Sequence, residues 1–174
     1  CLTGGYRGNS SSRGPGGGGG SGGGGGNGFN PQSSTPWYGY GGRFYAVASN
    51  PPMQPVKPGG GGAGFNGVGN TSTGGSGGGV VKLIVSGTLS MNGDILASGT
   101  TGSGADAYWK ASSGGGGSIW VEAANLAGSG KFEAKGGTGS YGSTGTGYGG
   151  GGGGGGRIAV KYGDMSGYTA QALA

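Results

Sequence analysis

Histidine is absent from this sequence and cysteine occurs once. The first absence removes every histidine-based triad and every histidine-ligated metal site. The second removes an internal disulfide and any thiolate cluster for zinc or iron–sulfur. Charge is scarce too: ten basic and five acidic residues make up 9% of the chain and leave a net charge of +5. That mild basicity is not the concentrated footprint of a nucleic-acid-binding domain. The arginine–glycine pairs at Arg7-Gly8 and Arg13-Gly14 are isolated, so no nucleic-acid partner is expected. The longest apolar stretch, 80–85, is broken by Lys82 and falls far short of the ~20 residues that span a bilayer. No transmembrane segment is expected. A phosphate-binding G-x-x-x-x-G-K-[ST] loop is also missing.

Among the five acids, Glu122 and Glu133 fall on consecutive candidate strands. A glycosidase needs two carboxylates flanking a cleft. Here Lys131 and Lys135 interleave with Glu133, the pattern of a solvated sheet face. The sequence therefore implies no enzyme, no cofactor and no metal.

What the chain has is glycine, 57 residues of 174. Collagen is excluded, because its triple helix needs glycine at every third position, whereas these glycines come in blocks such as 16–20, 22–26 and 149–156. Two arrangements remain: a flexible linker, or an ordered solid in which backbones without Cβ atoms approach closely. Glycine loses more conformational freedom on ordering than any other residue, so an ordered block must be held by its neighbours. Ordered packing is the expectation, because the blocks alternate with a β-repeat.

Residues 80–99 read VVKLIVSGTLSMNGDILASG and residues 117–136 read GSIWVEAANLAGSGKFEAKG. At an offset of 37 residues, Leu89 matches Leu126, Gly93 matches Gly130, Ile95 matches Phe132 and Ala97 matches Ala134. The first strands agree less well and slip by one residue. A truncated third copy, 157–168, starts RIAVKY. Apolar residues alternate with a period of two, which marks strands with one buried face. The predicted core is Leu83, Val85, Leu89, Ile95, Ile119, Val121, Leu126, Phe132, Ile158 and Val160. Trp120, Glu122, Lys131, Glu133 and Lys135 are expected to face outward. The fold class is all-β, with essentially no helix. A repeat that cannot bury its own face needs stacked neighbours. The expected architecture is a glycine-rich parallel β-solenoid or flattened β-sandwich with extended or polyglycine-II segments.

Two regions follow: a Gly/Pro/aromatic arm over 1–62, a candidate for inter-subunit contact, and a β-repeat domain over 63–174. The arm carries an aromatic cluster, Trp37, Tyr38, Tyr40, Phe44 and Tyr45. Together with Trp109, these are candidates for subunit contact or sugar stacking. Asn9 and Asn70 open N-x-[ST] tripeptides, which makes them glycosylation candidates. Cys1 has three readings: a lipid-bearing residue, an intermolecular bridge, or the start of a segment of a longer product. Ice binding needs a regular threonine array, and Thr100, Thr101, Thr144 and Thr146 do not form one.

The stretch GGGGSIWVEAANLAGSGKFEAKGG, followed by a loop and GGGGGGGGRIAV, resembles the glycine-rich repeats of large secreted and surface-anchored structural proteins. The resemblance covers residues 74–162. It implies an extracellular or cell-surface structural subunit, homopolymeric and glycosylated, in a filament or fibre. A weaker, compositional likeness connects the glycine blocks with phage tail-tip adhesins built of polyglycine helices. It implies the alternative, a receptor-binding module with aromatic sugar contacts.

Overall fold

In a computed structural model the protein is all-β, and no helix occurs among the described residues. The structure describes residues 18–28, 40–43, 51–67, 70–104, 110–141, 149–169 and 172–173. Three long strands form one parallel sheet in the order β3 (Val80–Met91), β6 (Ser118–Gly128), β8 (Arg157–Tyr168). Each turns into a short strand of a second parallel sheet, in the order β4 (Ile95–Leu96), β7 (Phe132–Glu133), β9 (Ala172–Leu173). The two sheets stack three strand–turn–strand units in the same order. The third copy is thus longer than 157–168, because β9 supplies its second strand. A small antiparallel sheet stands apart in the topology, in the order β1 (Phe65–Gly67), β2 (Asn70–Thr73), β5 (Ser103–Gly104).

Register explains the slip between the copies. Val81 lies opposite Ile119, 38 residues on, whereas Leu89 lies opposite Leu126, 37 residues on. A bulge between Val85 and Thr88 absorbs the difference. A bulge kinks a strand without ending it, so β3 continues through Gly87 instead of stopping there.

Side chains from both parallel sheets meet in one core. Ile119, Val121, Leu126, Phe132, Met91, Ala97 and Ala134 are buried there. Leu83, Leu89, Ile95, Ile158 and Val160 are half-buried against them, and Val85 is half-buried outside the cluster. The gradient follows stacking order: the central unit is covered on both sides, whereas the outer two each expose one flank. Trp120 departs from the outward expectation, being only 8% exposed. It lies on the outer face, but the Lys82 ammonium from the neighbouring strand stands 4.0 Å from its ring centroid.

N-terminal to the long strands, the chains continue as glycine segments, and here the hydrogen bonds change period. Along 112–117, Ser112 and Gly115 donate to Ala63 and Gly60, Ser113 and Gly116 to Gly151 and Gly154, and Gly114 and Gly117 to Thr100 and Ala97. Each neighbour thus recurs every third residue, at 2.7–3.0 Å. The carbonyls of Ser112 and Gly115 accept from Gly75 and Gly78, that of Ser113 from Gly19, and that of Gly114 from Gly137. Six segments therefore surround 112–117, and bonds such as Gly59 to Gly78, Gly153 to Gly137, Gly154 to Gly19 and Gly60 to Gly20 join the ring to itself. Every residue from 111 to 121 is buried. Segments 18–26 and 59–62 of the predicted arm belong to this same array, hydrogen-bonded to the repeat region of their own chain, and Gly42 joins it through Gly18 and Gly25. Among the described residues Gly128 alone has a left-handed φ, +105°; it closes the turn after β6, beside the Met91 carbonyl.

Candidate functional site

The outward chemistry falls into two groups. On the second parallel sheet, Lys131 reaches Asp94 at 3.5 Å and Glu133 at 3.4 Å, while Lys135 reaches Glu133 at 3.0 Å. Ser98 donates to the same Glu133 carboxylate at 3.1 Å. The Lys131–Asp94 pair and the Ser98–Glu133 bond join adjacent units of the stack, whereas Glu133 meets Lys131 and Lys135 within its own unit. The bonds from Lys135 and Ser98 hold Glu133 below its ordinary carboxylate range. Asp94 and Glu133 in turn raise Lys131.

On the outer face of the first sheet, the indole of Trp120 donates to Glu122 at 3.3 Å, and Lys161 sits 3.9 Å from the same carboxylate. Pro52, Met53 and Gln54 form with Glu122 and Ile158–Lys161 a shallow groove on this face. Ser118 ties the approach to that segment down by donating to the Lys57 carbonyl at 2.6 Å.

Glu122 and Glu133 belong to separate lysine-paired clusters on different sheets. The lowered carboxyls, Glu133 and Asp164 (the latter bonded by Ser166), are held in the ionised form, the opposite of what a general acid requires. Among the described residues, no three His, Cys, Asp or Glu side chains converge as metal ligands. No helix there is long and apolar enough to cross a membrane.

Of the predicted contact residues, Tyr40 is 52% exposed. Trp37, Tyr38, Phe44, Tyr45 and Trp109 lie outside the described residues, as do Cys1 and Asn9. Asn70 begins β2, with its backbone paired to Gly67. Tyr141, 79% exposed, lines a small hollow with Asn27, Gly139 and Gly149–Gly152. Its place beside a glycine block was visible in the sequence; the amide of Asn27 beside it was not, because 114 residues separate them.

No family model matches the chain, and neither the curated proteins nor the solved structures give a match.

Proposed function

We propose that the chain is a structural subunit of an extracellular filament or surface fibre, in which a short parallel β-solenoid runs directly into a bundle of polyglycine-II helices. The observation that carries this reading is the three-residue rotation of hydrogen bonds around 112–117. Three residues per turn is the repeat of the polyproline-II conformation, which makes no internal hydrogen bonds. The negative φ values of the surrounding glycines fit its left-handed form. Such a helix directs all its donors and acceptors at neighbours, so the bundle is cross-linked in every lateral direction. Each bond contributes about 1 kcal/mol, which works against the cost of ordering glycine. This arrangement yields a stiff, chemically inert rod. Copies of the chain are the proposed partners, and covalent glycans at Asn70 and Asn9 would shield the glycine backbone. Negative-stain microscopy of the purified full chain tests the reading: filaments are expected, and particles that stay monomeric at high concentration would overturn it.

Tyr141 favours a second reading, a carbohydrate-binding adhesin. An exposed ring beside an amide in a shallow hollow is suited to stack on a sugar face. A glycan-array signal that disappears in Tyr141→Ala would support it.

A further inference from the structure

The three parallel glycine segments 74–79, 112–117 and 151–156 stack in the same order as the strands they feed. Val80, Ser118 and Arg157 are mutually aligned, so Ser76, Gly114 and Gly153 occupy one equivalent position, and Gly79, Gly117 and Gly156 another. Bonding runs in one direction. Gly75 and Gly78 donate to Ser112 and Gly115, and the next segment then donates from Ser113 and Gly116 to Gly151 and Gly154. By the same repeat, the amides of Gly152 and Gly155 point outward, and among the described residues no backbone carbonyl accepts from them. Both residues are half-buried. Their carbonyls accept from Gly26 and Gly23, but among the described residues nothing pairs with their amide side or with the far side of β8, and that side is where a further unit would add.

The opposite edge is built differently. A Cβ on Gly114 would lie 2.0 Å from the Ser76 carbonyl oxygen, and one on Gly153 would lie 1.9 Å from that of Gly114. At this position a side chain points into the preceding segment, and the stack closes only because glycine is there. Segment 74–79 carries Ser76 instead, and it is exposed. Gly79, next on the same stripe, has nothing within 4 Å of its Cβ position, whereas its equivalents Gly117 and Gly156 are blocked at 1.8 and 2.2 Å.

We propose that the stack is one-sided: the 149–156/β8 edge takes a further glycine-block-plus-strand unit with glycine at the Ser76 position, and Ser76 closes the 74–79/β3 edge against any such addition. The preferred occupant is thus a glycine rung of another polypeptide. A second wild-type copy is excluded from this joint, because its own Ser76 Cβ would meet the Gly153 carbonyl. The inference builds on the reading of the chain as a structural subunit and assigns which lateral joint its assembly does not use.

The test is Ser76→Gly in the full chain, followed by sedimentation velocity and by hydrogen exchange at the Gly152 and Gly155 amides. Ser76→Gly is expected to form linear oligomers and to slow exchange at those two amides by at least about tenfold as the local opening is suppressed. Adding Gly79→Val to Ser76→Gly is expected to restore wild-type behaviour, because position 79 lies on the same stripe and has open space around its Cβ position, so the valine re-closes the edge. In parallel, a peptide of residues 112–128 should protect the same amides of the wild-type chain, and a peptide of residues 74–91 should not. Unchanged size and exchange in Ser76→Gly, or equal protection by the two peptides, would overturn the proposal. Wild-type filaments in the microscope bear on the functional reading alone, since the amide signal reports this joint and no other.

Discussion

Gly117 faces the carbonyl of Gly79 so closely that a β-carbon on Gly117 would lie 1.8 Å from its oxygen. Packing at this distance involves backbone against backbone, so no side chain can rotate away to make room. Gly117→Ala must push two hydrogen-bonded segments apart, and is expected to cost at least about 3 kcal/mol. Gly79→Ala is the matched control, since its Cβ would meet nothing and its φ suits alanine. That substitution should be neutral or stabilise by about 0.4–1 kcal/mol through the unfolded chain. Denaturant melts of the two variants should differ clearly in midpoint. Equal midpoints would mean that the array is looser than described.

Phe132 anchors the core where the two parallel sheets meet. It is 1% exposed, and its ring lies 6.1 Å from that of Tyr168, centroid to centroid. Tyr168 also donates to the Gly130 carbonyl at 2.7 Å, which pins the end of β8 to the turn before β7. Phe132→Ala is expected to cost about 3–5 kcal/mol and Tyr168→Phe about 1 kcal/mol, both read by thermal unfolding. Burial raises the Tyr168 pKa. Its contribution is therefore complete below the unfolded tyrosine pKa and is lost as pH rises through the raised folded value. Tyr168→Phe should remove that alkaline loss.

Much of the strand structure can be read from the sequence, because alternation in SIWVEAANL and RIAVKY is a property of side chains. The one-residue slip shows there too, as a poorer match in the first half of each copy. Features that depend on neighbours do not. Trp120 reads as exposed from its own strand, and the Lys82 ammonium over its ring comes from one strand away. β9 is invisible because Ala172 and Leu173 offer no alternation, and their pairing with Phe132 and Glu133 follows from stacking. The glycine array is the hardest case. Glycine has no side-chain periodicity, so the three-residue rotation exists only in the hydrogen bonds. The placement of Gly19 against Ser113 leaves no trace in either segment. Ser76 was legible as one serine among glycines, but its meaning required knowing that Gly114 and Gly153 stand in the same place.

The ion cluster on the second sheet should give stability an acid limb. Glu133 has its pKa lowered, first by the bond from Lys135 and then by that from Ser98. A lowered carboxyl contributes stability that is present above the unfolded glutamate pKa. That stability is lost as pH falls through the lower folded value. Glu133→Gln keeps the shape and removes the charge, so its melting temperature should depend less on pH over that acidic window than the wild type's. Because the cluster is solvated, the effect should also shrink in high salt. A variant with an unchanged acid limb would show that the carboxylate takes no part in it.

Ser21 holds the one buried side-chain hydroxyl among the described residues that has no hydrogen-bond partner; it is 0% exposed. It sits where segment 18–20 turns back into 24–26, and its own amide donates to the Gly23 carbonyl at 2.9 Å. The backbone therefore needs the turn, while the hydroxyl contributes nothing visible to it. Leaving a buried hydroxyl unpaired costs about 1–3 kcal/mol, and alanine fills the same Cβ position without that cost. Ser21→Ala is thus expected to raise the unfolding midpoint, by up to about 2 kcal/mol in stability. Hydrogen exchange at Gly18 and Gly26, whose amides bond across and beside this turn, should slow in parallel. A destabilised Ser21→Ala would mean that the hydroxyl has a partner in the folded chain, and the turn would then be held by a side-chain bond as well as by its backbone.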